Sequence, residues 1–309
     1  MRRLETRIGE RLQSDVALVR QVARYLVESG GKRLRPALLL LAAGACGSRD
    51  EACIELAAVV EFIHTATLLH DDVVDASDLR RGRSTANARF GNAAAVLVGD
   101  FLYSRAFQMM VGAGSMRVMA VLAEATNAIA EGEVLQLMHC RDPDVGESGY
   151  LAVVRRKTAK LFEASARLGA VLAGVPPTLE ERLAEYGMRV GTAFQLIDDV
   201  LDYSGDVETI GKSLGDDLAE GNPTLPLIRA MACGSPAQAR LVRDAIVSGG
   251  REAFGAVLEA VRATGALEYT RELARREAEA ARAALEPLAP SAYRDSLLEL
   301  AAYSVSRRS

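Results

Sequence analysis

Two short acidic stretches stand out as places where chemistry could be done: Leu69-His70-Asp71-Asp72-Val73-Val74-Asp75 and Ile197-Asp198-Asp199-Val200-Leu201-Asp202. Each closes an apolar run with helical spacing. Residues four apart share one face of an α-helix, so Asp71 sits beside Asp75 and Asp198 beside Asp202. Like charges so placed weaken a helix by about 0.2–0.5 kcal/mol. No Lys or Arg lies in the turn before either cluster, so a cation from outside the helix must neutralise them. Carboxylate oxygens suit hard cations, and Mg2+ takes one or two of them and completes its shell with water and phosphate oxygens. One acidic helix end is ordinarily a solvated surface. The same pattern on two apolar helices points instead to a metal–phosphate site.

Cations lie close by in sequence. Gly31-Lys32-Arg33-Leu34-Arg35-Pro36 puts three on a glycine turn ahead of a helix start, where an anion can be cradled. The competing reading of that turn is a solvated basic loop. Arg80 and Arg81 follow the first cluster directly, and guanidinium forks bind phosphate bidentately. Arg155, Arg156, Lys157, Thr158 and Lys160 crowd one further segment, and Lys212 lies in a polar, glycine-rich stretch after the second cluster. His64 precedes Asp71 by two helical turns on nearly the same face, and is as well explained by packing as by ligand binding. Carboxylates that gather Mg2+ beside cations that gather phosphate define a diphosphate site. No Gly-x-x-x-x-Gly-Lys loop is present, so P-loop nucleotide chemistry is unsupported.

The elements that must carry these groups are helical. The 309-residue chain is half hydrophobic, rich in Ala, Leu and Arg, and has no Trp. Apolar spacing predicts helices over residues 4–28, 51–75, 93–110, 116–140, 150–173 and 179–203, with a long loop over 204–223. Four or five amphipathic segments follow, in which nothing looks chemical. No linker or composition shift divides the chain, which predicts one domain over 1–309. The net charge of −4 gives no pull toward nucleic acid. Four cysteines without metal-ligand spacing fit reduced thiols and a cytoplasmic setting. The charged N-terminus lacks a signal-peptide core, and the apolar run from Pro36 to Cys46 is too short to span a bilayer, which predicts a soluble protein.

Taken in order, Gly31-Lys-Arg-Leu-Arg-Pro36, Glu61-Phe-Ile-His-Thr65, Leu69 to Asp75, Arg80-Arg-Gly82, Lys157-Thr158, Phe194 to Asp202, Gly211-Lys212 and Glu220 to Pro226 resemble the motifs of the trans-isoprenyl diphosphate synthases. The resemblance covers essentially the whole chain. Residues 65–75, 99–110 and 130–138 are similar to the bacterial octaprenyl branch of that family. It implies an all-α, single-domain bundle of ten or more helices, the isoprenoid synthase fold, around a deep central cavity with the two clusters facing each other at its mouth. The implied reaction is Mg2+-dependent, sequential 1′-4 condensation of isopentenyl diphosphate onto an allylic diphosphate such as farnesyl diphosphate. The implied product is all-trans, octaprenyl in length and destined for a ubiquinone-type side chain. The implied assembly is a homodimer, with membrane contact no more than transient during product release.

By the same resemblance, Lys32, Arg35, His64 and Arg81 hold isopentenyl diphosphate. The allylic diphosphate meets Arg80, Lys157, Thr158, Gln195 and Lys212 through Mg2+ on Asp71, Asp75 and Asp198, with Asp72, Asp199 and Asp202 in support. One position departs from the family pattern: Asn222 stands where many members have lysine, which implies a weaker grip on the allylic substrate. Small residues one turn before Asp71, Ala66 and Thr67, leave a growing tail room to pass, and Phe107, Met110 and Met138 are candidates for the floor that stops it. The same Met and Phe side chains also read as simple packing. A non-catalytic partner subunit would be expected to have lost acidic residues, and a terpene cyclase would not need the Lys32, Arg35 and Arg81 set. Consumption of isopentenyl diphosphate separates both from a synthase.

Overall fold

The computed structural model describes residues 1–28, 30–80, 82–204 and 215–307. In chain order the helices are α1 (Arg2–Arg11), α2 (Ala17–Glu28), α3 (Leu34–Ala45), α4 (Ala52–Val74), α5 (Ala86–Phe90), α6 (Asn92–Gly112), α7 (Met116–His139), α8 (Glu147–Val153), α9 (Lys160–Ala173), α10 (Pro177–Ser204), α11 (Asp216–Glu220), α12 (Leu225–Cys233), α13 (Pro236–Ser248), α14 (Phe254–Ala263), α15 (Ala266–Ala284) and α16 (Ala292–Ser306). A π-helical turn, Val154–Ala159, joins α8 to α9, and a two-residue hairpin, β1 (Leu79–Arg80) with β2 (Arg83–Ser84), follows α4. The protein is all-α apart from that hairpin among the described residues. The helices gather into two compact units, residues 1–126 with 161–184 and 287–297, and residues 127–160 with 185–286 and 298–309.

In the first unit α4 is the central rod. Leu56, Val59, Val60, Phe62, Ile63, Ala66 and Leu69 are buried, and α1, α3 and α6 pack around the helix. At 23 residues α4 is long and apolar enough to cross a bilayer, which the Pro36–Cys46 run is not. Its enclosure within the unit makes it a core helix. Glycine permits the closest approaches: a Cβ on Gly169 of α9 would lie 2.6 Å from the Ala43 nitrogen of α3. On α6, a Cβ on Gly99 would overlap His70 Nε2. His70 is therefore docked on α6, its Nε2 3.2 Å from the Val96 carbonyl and its ring stacked with Tyr103. The single helix expected over 4–28 is instead two. Ser14 breaks it by accepting the Val16 amide at 3.2 Å, a local bond that competes with the helix, and Val16 is exposed.

In the second unit α10 is the corresponding rod, with Leu196, Ile197, Val200 and Tyr203 buried along it. Tyr150, Val154, Leu225 and Ile228 pack on Leu196 and Ile197, while Leu218, Leu227, Val242, Ile246 and Val257 gather around Tyr203. The continuous α-helix expected over 150–173 is interrupted by the π-helical turn that bears Lys157 and Thr158. Gly132 of α7 admits this turn, since a Cβ there would lie 2.6 Å from the Lys157 nitrogen. Isolated π-turns are uncommon and recur at functional sites.

Candidate active site

The first acidic cluster forms the last turn of α4. The Asp75 amide donates to the Asp71 carbonyl at 2.8 Å, so the helical repeat that sets these two carboxylates on one face runs through to Asp75. Asp71 and Asp75 are partly exposed, whereas Asp72 is buried. Arg80 pairs with that buried member of the cluster: its Nε and Nη2 lie 2.8 and 2.7 Å from Asp72 Oδ1. The hairpin delivers it, with Arg80 opposite Arg83 and Gly82 at φ +72° in the turn. Asn87 ties the hairpin back to the helix, donating to the carbonyls of Asp72 at 3.0 Å and Ser77 at 3.1 Å. No sequence signal marked Asn87 for this task.

The basic turn before α3 divides its cations. Arg33, in the left-handed region at φ 49°, turns inward to pair with buried Glu61 and, at 3.1 Å, with Glu5. Arg35 turns the other way. Its Nη1 donates to His64 Nε2 at 3.2 Å and its guanidinium lies 4.4 Å from the centre of the Phe162 ring. Because arginine can only donate, His64 Nε2 is the acceptor in this bond. Arg35 and His64 are thus brought together as expected from the sequence, and Lys32 is exposed on the turn beside them. Arg81 lies outside the described residues.

The second cluster gives each of its three carboxylates a different partner. Asp198 is the exposed one, its side chain 43% accessible, and Arg307 Nη2 lies 2.6 Å from its Oδ1. Arg307 is itself enclosed, donating to the Phe194 carbonyl at 2.7 Å with its guanidinium 3.7 Å from the Phe194 ring centre. The C-terminal tail, in which the sequence showed nothing chemical, supplies this cation. Asp199 is 1% exposed and both its oxygens are engaged, Oδ2 by the Tyr150 hydroxyl and Oδ1 by Gln195 Nε2 at 2.8 Å. Asp202 accepts the backbone amides of Asp216 at 3.2 Å and Asp217 at 3.4 Å, at the start of α11. Burial, and then the nearby charges of Asp217 and Asp216, push its carboxyl up to about 8. Burial also raises Asp199 well above the carboxylate range, with Asp217 adding to the effect and the Tyr150 and Gln195 hydrogen bonds opposing it.

Of the remaining candidates in this unit, Thr158 donates to Gln195 Oε1 at 3.1 Å and Lys157 Nζ lies 2.6 Å from Glu133 Oε2. Asn222 is occupied by protein: it donates to Glu220 Oε2 at 2.8 Å and accepts from Gln136 at 3.4 Å. Lys212 lies outside the described residues. In the first unit, Ala66 is fully enclosed and Thr67 partly so, its hydroxyl donating to the His64 carbonyl at 2.8 Å. Among the candidate floor residues Met110 is enclosed, while Phe107 and Met138 are exposed. A floor must be enclosed, so within the single chain only Met110 meets that requirement. Among the described residues no three His, Cys, Asp or Glu side chains converge on one point that could hold an ion. The donor chemistry of each cluster taken by itself nevertheless fits a hard cation that completes its shell with water and phosphate: all-oxygen ligands, with Asp71 and Asp75 partly exposed at the end of α4 and, separately, Asp198 partly exposed on α10.

Residues 16–263 match the sequence profile of the polyprenyl synthetase family. The chain is 56% identical over 301 residues to the octaprenyl diphosphate synthase of Escherichia coli, covering 97% of this chain and 93% of that one. It is 48% identical to the all-trans-nonaprenyl-diphosphate synthase (geranyl-diphosphate specific) of Rhodobacter capsulatus, over 97% and 92% of the two chains. Among solved structures, the polyprenyl synthase of Caulobacter crescentus complexed with calcium and isoprenyl diphosphate superposes with a TM-score of 0.96 at 47% identity, covering 99% of this chain and 94% of the other.

Proposed function

The chain belongs to the polyprenyl synthetase family, and from that premise we propose that it makes a long all-trans polyprenyl diphosphate, octaprenyl in length, by repeated addition of isopentenyl diphosphate to an allylic diphosphate such as farnesyl diphosphate. In each cycle the C1–O bond of the allylic diphosphate breaks and its electron pair leaves with diphosphate. The alkene of isopentenyl diphosphate attacks the resulting allylic cation, and loss of a proton to the released diphosphate restores a double bond. The eight-unit length rests on identity to the octaprenyl synthase of Escherichia coli.

Prenyl synthases of this family are metal-dependent, and we assign Mg2+ as the metal. The observation that supports the assignment of ligands is the unequal burial of the carboxylates. Asp72 and Asp199 are buried, against Arg80 and against Tyr150 with Gln195, and Asp202 accepts the α11 amides. Asp71, Asp75 and Asp198 keep exposed surface and are the proposed ligands. Bound there, Mg2+ would neutralise the diphosphate and take up negative charge as the C1–O bond breaks. Arg80, Lys157, Thr158, Gln195 and Lys212 are assigned to the allylic diphosphate. Lys32, Arg35, His64 and Arg81 are assigned to isopentenyl diphosphate, with Phe162 fixing the plane of the Arg35 fork.

A homodimer is the proposed assembly. Val96, Leu97, Phe107 and Val111 form an exposed apolar face along α6, and large exposed patches of this kind mark association surfaces. Purified protein supplied with farnesyl diphosphate, isopentenyl diphosphate and Mg2+ should consume isopentenyl diphosphate and sediment at twice the chain mass. No consumption would overturn the assigned reaction.

A further inference from the structure

Tyr150 belongs to none of the motifs discussed above. It lies on α8 just ahead of the π-helical turn, enclosed by Val145, Val154, Leu196, Ile197 and Leu225. In that apolar setting its hydroxyl is aimed at one acceptor, Asp199 Oδ2. The other Asp199 oxygen accepts from Gln195 Nε2 at 2.8 Å, and Gln195 Oε1 accepts from Thr158 Oγ1 at 3.1 Å. Four side chains from three elements therefore form one hydrogen-bonded ladder, Tyr150–Asp199–Gln195–Thr158. Its directions are set by chemistry. Gln195 turns its NH2 toward Asp199 and presents its carbonyl oxygen to the Thr158 hydroxyl.

The ladder also straddles an unusual backbone. Tyr150 precedes the π-helical turn Val154–Ala159 and Thr158 lies within it, and both are tied to α10, four residues apart, through Asp199 and Gln195. A π-turn holds one residue more than an α-turn, and its relaxation to α-geometry would rotate each following side chain by about 100°. Fixing a residue ahead of the turn and a residue within it to one helix resists that rotation. Resting on the proposed function, in which Lys157 and Thr158 meet the allylic diphosphate, we infer that Tyr150 is a positioning residue: acting through Asp199 and Gln195, it fixes the π-helical turn so that Thr158 and Lys157 address the allylic diphosphate. It does not touch substrate itself.

The test begins with wild-type turnover of farnesyl and isopentenyl diphosphates with Mg2+; if that is absent, the functional reading falls and the positioning role falls with it. Given turnover, Tyr150→Phe keeps the ring and removes the hydroxyl. Its kcat/KM for the allylic diphosphate should drop about 10- to 100-fold, while the KM for isopentenyl diphosphate stays within about twofold of wild type. Combined with Thr158→Ala, the double variant should lose no more than the worse single variant, because both changes cut the same ladder. Should Tyr150→Phe fail to fold, Asp199→Asn serves: it keeps the shape but can turn an NH2 toward Gln195, and the same allylic-selective loss is expected. Unchanged allylic kcat/KM, equal losses toward both substrates, or losses that multiply in the double variant would each overturn the positioning role while leaving the proposed reaction intact.

Discussion

Arg80 reaches Asp72 with two nitrogens, Nε at 2.8 Å and Nη2 at 2.7 Å from the same oxygen, Oδ1. The pair joins the hairpin to the last turn of α4 and neutralises Asp72, the buried member of its acidic end. Asp72 is buried while Arg80 is about one-third exposed, so the cost of breaking the pair falls below that of a fully buried one. Arg80→Ala should destabilise the protein by about 2 kcal/mol in urea unfolding, with Arg80→Lys in between. A change near zero for Arg80→Ala would show that the pair contributes nothing to the fold.

Asp202 makes stability depend on pH in a stated direction. Its folded carboxyl titrates at about 8, against an ordinary value of 3.8, because of burial and then the Asp217 and Asp216 charges. A raised folded pKa means that the folded state holds the proton more tightly. The resulting stabilisation is complete below the unfolded value and is lost as pH rises through the folded one. In Mg2+-free buffer, wild type and Asp202→Asn should melt alike near pH 4, and the variant's advantage should grow as pH rises toward 8 and level off above it. A difference that stays constant across that window would contradict the assignment.

The route of the growing tail can be probed at Ala66. The side chain is fully enclosed, so a phenylalanine there must find room in tightly packed surroundings. If the tail passes this turn of α4, Ala66→Phe shortens the product sharply, and Thr67→Phe does the same one position on. Product length by mass spectrometry, read beside the melting temperature, decides the matter. A destabilised variant that still makes the full-length product would show that the tail takes another path.

Asn222 is held by Gln136 and Glu220, and its own amide donates to the Asp217 carbonyl at 2.8 Å. Asn222→Lys restores the cation common at this place in the family. It should lower the allylic KM about three- to tenfold, roughly 1 kcal/mol of added binding. An unchanged KM would mean that the position has no part in holding the diphosphate.

Much of this was legible in the residue order because it was periodic. The apolar spacing of α4 and α10 and the i, i+4 aspartates ending each helix follow directly from the α-helical repeat. The break at Ser14 was not legible, because Leu12, Val16 and Val19 continue the apolar rhythm across it and the bond from the Val16 amide to Ser14 is a local event. The π-helical turn leaves no mark in composition. Tyr150 reads as one more core aromatic, and its hydroxyl partner lies in a distant segment. Arg307 is likewise an ordinary terminal arginine until the fold lays it on Asp198. What the residue order did indicate was the need for such partners, since each acidic cluster lacked a cation in its own preceding turn.

The central claim is best tested by the product itself. Purified protein incubated with farnesyl diphosphate, excess isopentenyl diphosphate and Mg2+ should yield an all-trans eight-unit diphosphate by mass spectrometry, and Asp71→Ala or Asp198→Ala should abolish it. A product that stops at three or four units, or no consumption of isopentenyl diphosphate at all, would contradict the account.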